Sequence, residues 1–139
     1  MSMNSFAESV DLLHRAMSAQ MVRRQVIADN IANADTPGFK RSTVNFESEL
    51  KRALESRRQR PALELDLTHD SHISNFRERD FRDVQIRRVV DFASTFNNNG
   101  NNVCPEQEHT LALQNQMAYT LLANSVAFQF SQVSIALRR

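Results

Sequence analysis

Apolar residues recur along the first third of the chain at alternating steps of four and three. Phe6, Val10, Leu13, Met17, Gln20, Arg24, Ile27, Ile31 and Ala34 form one seam with two polar positions, the period of a coiled-coil helix. Ser5 fits its N-cap, and Glu8 completes a capping box. A helix of about 30 residues is about 45 Å long at 1.5 Å per residue. It must stop at Asp35-Thr36-Pro37-Gly38-Phe39. Pro37 pushes Thr36 out of the helical region, and Pro37-Gly38 fits the central pair of a type II turn.

The last third, from about Glu106 to Leu137, is again free of Pro and Gly. It carries two apolar stripes. One runs through Leu113, Met117, Leu121, Phe128 and Ile135, and the other through Tyr119, Leu122, Val126, Phe130, Val133 and Leu137. Neighbouring residues on a helix lie about 100° apart, so one partner helix does not cover both stripes. The first stripe is expected to face the chain's own N-terminal helix. Val126, Phe130, Val133 and Leu137 are then expected to form a subunit interface. An intramolecular helical hairpin is the simpler alternative.

Between these ends the texture changes. Phe46, Leu50 and Leu54 suggest a short helix ending near Ser56. Leu63–Leu67 alternates as a strand does, and Val84–Arg87 suggests a second strand. The run Asn97–Asn102 around Gly100 reads as a turn-rich loop whose asparagines share the positive-φ role. The expected fold is mainly α, with long terminal helices packed as a coiled-coil-like pair. The expected segments are a helix and turn over 1–39, a small irregular insert of a short helix and short strands over 40–104, and a C-terminal helix over 105–139.

Composition narrows the chemistry. The chain has 139 residues and two glycines, Gly38 and Gly100, too far apart for a P-loop or a dinucleotide fingerprint. One cysteine, Cys104, excludes an internal disulfide. The net charge of +1 argues against a general polyanion binder. The stretch 40–60 holds seven basic and three acidic residues, but it lacks the interleaved aromatics of a nucleic-acid surface. No nucleic-acid partner is expected. No apolar run approaches the about 18–20 residues of a membrane span, so the chain is not expected to span a membrane. The N-terminus lacks the pattern of a cleaved secretory signal.

His69-Asp70-Ser71-His72 is the best metal candidate, but a helical ligand pair prefers a spacing of three or four and needs a third ligand. Turn polarity explains it equally. Cys104 beside Pro105 has no evident base to activate its thiol. No catalytic residue, metal or cofactor is expected. Phe76, Phe81, Phe92 and Phe96 belong either to the insert's core or to an assembly surface.

The segment Ile27–Lys40, with Asn30-Ile31-Ala32-Asn33 followed by Thr36-Pro37-Gly38-Phe39, strongly resembles the N-terminal motif of bacterial flagellar rod and hook proteins. A second match is Gly100-Asn101-Asn102-Val103, then Glu106 and Glu108, then Asn115 and Tyr119. Its order resembles the C-terminal half of the same family. The minimal insert, with Phe46–Leu50 and Thr68–Ile73, looks like the proximal-rod members. One departure is Cys104-Pro105, where the family usually has a capping Asp. Pro105 still suits a first helical turn, and Glu106 still complements the helix dipole.

The resemblance implies a structural subunit of the flagellar basal body, not an enzyme, which assembles in the periplasmic rod and transmits torque for motility. It implies export through the flagellar type III gate without a cleaved signal. Its implied partners are other rod subunits, the membrane-ring adaptor protein and the export gate, with self-association in a helical axial assembly. A soluble helical-hairpin adaptor and a metal-dependent enzyme built on His69 and His72 are the readings from other classes.

Overall fold

The computed structural model describes residues 3–58, 69 and 79–138. The elements in chain order are α1 (Met3–Ala32), β1 (Ser42–Asn45), α2 (Glu47–Arg58), a 3-10 turn (Phe81–Asp83), β2 (Arg87–Val90) and α3 (Pro105–Leu137). Two compact units result. One joins Met1–Val44 with Ile86–Arg139, and the other is Asn45–Gln85. Both ends of the segment 40–104 therefore belong with the long helices.

The mainly helical architecture with paired terminal helices is as the sequence implies. α1 and α3 run antiparallel: Phe6 meets Phe130 edge to face at 6.0 Å, Gln20 meets Asn115, and Asn30 meets Glu108. The contact face of α1 is Leu12, Ala16, Ala19, Arg23, Val26, Asn30 and Asn33, all buried or half-buried. That of α3 is Glu108, Ala112, Asn115, Tyr119, Leu122, Val126, Gln129 and Val133. Both alternate by four and three, the seven-residue period of a left-handed coiled coil. Ala16 and Ala19 let the backbones approach closely.

This seam differs from the expected one in two ways. On α1 it lies about one residue round the helix, so Ile27 stays buried while Arg24 is exposed. On α3 the stripe that faces α1 is the other one. Leu113, Met117, Leu121, Phe128 and Ile135, expected to face α1, are each 61–69 % exposed. Tyr119, Leu122, Val126 and Val133 are half-buried on the α1 side. Phe130 is 54 % exposed although it touches Phe6, and Leu137 is 78 % exposed. The physical reason is that the covered face holds Glu108 and Asn115, whose polar groups need partners, while bare apolar groups tolerate water better than buried orphans do.

The helix ends also differ in detail. α1 starts at Met3, so Ser5 lies inside it; no Pro or Gly precedes Ser5 to stop the winding. α1 tightens after Ala32, where the Ala34 N–H donates to Ile31 at 3.2 Å. By length and composition α3 is apolar enough to cross a membrane, which corrects the expectation of no such stretch. Its apolar residues are interleaved with amides and hydroxyls, yet no charged residue occurs from Thr110 to Leu137.

The turn at Thr36–Phe39 has the geometry of a type II turn. Gly38 has φ +71°, and the Phe39 N–H donates to the Thr36 carbonyl at 3.3 Å. Gly100 has φ +80°, and among the described residues no asparagine takes a positive φ. Both glycines are therefore required by backbone conformation. β2 begins three residues later than expected, because Val84 caps the 3-10 turn instead. β1 was not anticipated. The expected Leu63–Leu67 strand, His72 and Phe76 lie outside the described residues. In the second unit Phe46, Ala53 and Phe81 are buried, whereas Phe92 and Phe96 of the first unit are exposed.

The two stripes of α3 give a testable split. Val126→Asp places a carboxylate on the covered face and should destabilise the isolated chain by at least about 1 kcal/mol, whereas Leu121→Asp should stay within about 0.5 kcal/mol of the parent. Urea unfolding followed by circular dichroism checks both.

Candidate functional site

The residues singled out in the sequence converge where α1 ends and α3 begins. α1 leaves carbonyls without intrahelical partners at its C-terminus, and the loop before α3 supplies donors. The Asn101 carboxamide donates to the carbonyls of Asn33 at 2.9 Å, Ala34 at 2.9 Å and Thr36 at 2.8 Å. Two N–H groups serve three acceptors, so one bond is shared. Its Oδ1 accepts from the Val103 N–H at 2.7 Å. Asn101 and Val103 are fully buried. One side chain thus caps α1 and shapes the entry to α3.

Asn30 plays the matching part from α1. Its Oδ1 accepts from the Ser42 N–H at 3.0 Å, and its Nδ2 donates to the Ser42 carbonyl at 2.8 Å. The side chain stands in for a neighbouring strand beside β1. The same Nδ2 donates to Glu108 at 3.1 Å. Glu108 is fully buried, and its other oxygen receives the Arg41 guanidinium. A buried carboxylate needs such pairing, because removing its partner leaves an uncompensated charge.

Asn102 secures the next layer. Its Oδ1 accepts from the Arg41 N–H at 2.6 Å, and its Nδ2 donates to the Asp91 carbonyl and the Ser94 hydroxyl at 2.7 and 3.0 Å. Asp91 accepts from the Ser94 hydroxyl and from the Ser94 and Ala93 N–H groups, which hold its carboxyl below the usual Asp range, with Arg41 adding a smaller pull. Asn33 donates to the Asp29 carbonyl at 2.8 Å and accepts from the Thr36 hydroxyl. The Gly38 N–H donates to the Asn99 carbonyl at 3.1 Å, and the Lys40 ammonium reaches the Gly100 carbonyl at 2.8 Å. Pro37 is exposed and Phe39 half-buried.

Asn115 acts one helical stretch away. It donates to the Gln20 side chain at 2.6 Å and the Gln20 carbonyl at 3.1 Å. Tyr119 lies half-buried one turn further on. Sequence reasoning passed over Arg41, Ser42, Asp91 and Ser94 and gave Glu108 no role. A carboxylate at a seam position was the available signal, since it demands a cation nearby.

The remaining candidates form no metal-ligand cluster among the described residues. Cys104 precedes α3 without a side-chain capping bond. Its thiol donates to Glu106 at 3.2 Å. The Glu106 N–H in the first helical turn, and then that thiol, hold the Glu106 carboxyl below its usual range. His69 is exposed, and no three potential metal ligands cluster among the described residues. Lys51 and Arg52 sit beside Glu55 and Glu49 along α2, an exposed and mutually paired face.

The N-terminal part of this junction matches a known family. Residues 12–40 match the model of the flagella basal body rod protein family. The whole chain is similar to the flagellar basal body rod protein FlgB of Borreliella burgdorferi, with 45% identity over 98% of this chain and 100% of that protein. FlgB of Bacillus subtilis is 31% identical over 97% of each chain. FlgB of Salmonella typhimurium is 32% identical over 76% of this chain and 75% of its own. The chain belongs to the flagellar basal body rod proteins.

The rod-protein motif now has a physical reading. Asn30 pairs with the edge of β1 at Ser42, and Asn33 bonds the last turn of α1 at Asp29. Thr36, Pro37 and Gly38 make the turn whose carbonyl Asn101 binds. The two halves of the motif, from opposite ends of the chain, are one hydrogen-bonded object. The flagellar reading therefore takes precedence over the hairpin-adaptor and metal-enzyme readings.

Two outcomes test the junction. Asn101→Ala strips donors from three carbonyls and should cost about 1–3 kcal/mol, read as a lower urea midpoint with an unchanged slope. The Asp91 carboxyl is depressed in the folded chain, so its contribution is present above the ordinary value of 3.8 and is lost as pH falls through the lower folded value. Asp91→Asn should therefore flatten the acid limb of a stability-against-pH curve while leaving the neutral limb's slope unaltered.

Proposed function

We propose that the chain is a structural subunit of the proximal part of the flagellar rod, the axial shaft that transmits torque. The observation that carries this reading is the bare stripe Leu113, Met117, Leu121, Phe128 and Ile135 along a helix whose other side is already used. The full-length similarity to rod proteins supports it. A stripe of this length covers too much apolar surface to suit an isolated monomer. Continuous seams between subunits also supply the axial stiffness a shaft needs.

Neighbouring rod subunits, including further copies of this chain in a helical array, cover the stripe. Val126, Phe130, Val133 and Leu137 then join the subunit contacts where α1 leaves them open. The small insert favours a position near the export gate and the membrane-ring adaptor. The chain reaches that place through the flagellar export gate and acts in the periplasm. In this reading the open side of α3 faces protein rather than lipid, since exposed Gln114, Gln116, Asn124 and Gln132 share it with the apolar stripe. The chain carries out no catalysis.

Isolation of basal bodies from motile cells tests this directly. The tagged full chain should copurify with the rod, and Leu121→Asp should leave expression normal while abolishing rod incorporation and swimming. Normal rods built from Leu121→Asp subunits overturn the stripe's role, and absence of the parent chain from basal bodies overturns the placement.

A further inference from the structure

Asn99 is the one asparagine of the run at 97–102 that precedes a glycine. Asn99 and Gly100 are both exposed. The Asn99 Oδ1 accepts from the Asn101 N–H at 3.0 Å, so the side chain folds forward along its own backbone in an Asx-type turn. The Asn99 Cγ and the Gly100 nitrogen are members of the same hydrogen-bonded ring. Gly100 has no Cβ to shield that nitrogen, and a single bond to the Asn97 carbonyl at 3.2 Å restrains it.

We propose that Asn99 is a site of spontaneous deamidation in the folded protein. The Gly100 nitrogen attacks the Asn99 Cγ. A C–N bond forms, the N–H proton passes to water, and the side-chain nitrogen leaves as ammonia, giving a cyclic imide. Water then adds to one of the two ring carbonyls. Opening at one yields aspartate; opening at the other yields isoaspartate, with the main chain running through the former side chain. Solvent water is the only co-reactant, and no electron changes hands.

The neighbouring asparagines do not share this chemistry. Asn101 and Asn102 are buried, with their carboxamides engaged. Asn97 and Asn98 are each followed by another asparagine, whose Cβ crowds the attacking nitrogen. Isoaspartate lengthens the main chain by one carbon just ahead of Asn101. It also turns the Asn99 carbonyl that receives the Gly38 N–H into a free carboxylate. The cap on α1 then loses its register, so the modification loosens the junction.

The test incubates the full chain at mildly alkaline pH and follows each asparagine by peptide mass spectrometry, with isoaspartate-specific methylation as a second reading. The expected result is conversion at Asn99 with the amides of Asn97, Asn98, Asn101 and Asn102 retained, and a thermal midpoint that falls as the converted fraction grows. Asn99→Ser keeps an oxygen for the Asn101 N–H but has no amide to lose, so its midpoint should hold steady. Survival of the Asn99 amide, or equal conversion at its neighbours, overturns the site. Conversion without a fall in midpoint overturns the link to the α1 cap.

Discussion

A long helix cannot end inside a protein without donors for its last carbonyls, and here that requirement organises the first unit. The donors come from Asn101, more than 60 residues away in sequence, which binds the carbonyls of Asn33, Ala34 and Thr36. Because that same side chain receives the Val103 N–H, the end of α1 and the approach to α3 are fixed together. The turn at Pro37-Gly38 then has one direction in which to leave. Gly38 and Gly100 stand against each other, with the Gly38 Cα 3.8 Å from where a Cβ on Gly100 would lie. The close approach of two left-handed turns is what the only two glycines of the chain provide.

The polar groups of the helix seam act on specificity more than on raw stability. Leu12, Ala16, Ala19, Val26, Leu122 and Val126 supply the apolar contact, and their period would tolerate a slip of one heptad. Asn30 with Glu108 and Gln20 with Asn115 do not tolerate it, since a slip breaks both pairs and leaves one polar group on each helix against hydrocarbon. An unpaired buried amide or carboxylate costs more than its hydrogen bond returns. Two polar pairs, Asn30 with Glu108 and Gln20 with Asn115, thus set register along the hairpin, and Phe6 on Phe130 continues it towards the other end.

How far the sequence discloses this depends on whether the governing interaction is local. The stop at Pro37-Gly38, the extent of α2 and α3, and the pairing of terminal helices follow from neighbouring residues and periodicity, and they are present. The choice of faces is not local. On α3 the larger apolar side chains, Leu113, Met117, Leu121, Phe128 and Ile135, are the exposed ones, while Glu108, Ala112 and Asn115 are covered. Counting apolar residues therefore points to the wrong side. The motif asparagines were legible as important through the family resemblance alone. Their work as a strand surrogate at Ser42 and a cap for α1 needs Ser42, Asp91 and Glu108 in place, none of which a spacing argument brings together.

The same geometry constrains when the fold can form. The bond from Asn30 to Glu108 closes 78 residues, and that from Asn101 to Asn33 closes 68. Neither end of the chain can finish alone: α1 lacks its cap, and α3 lacks the partner for its buried carboxylate. Closing so long a loop carries an entropic cost that only the completed junction offsets. Once it has formed, Asn30, Gln20 and Asn115 and the Glu108 carboxylate have their partners within one chain. The stripe left open on α3 is apolar except where Asn124 interrupts it, and apolar surface of this kind is what a second helix covers with little further demand on register. Intramolecular specificity rests on buried amides and on ion pairs, whereas the surface left for neighbours is dominated by apolar side chains.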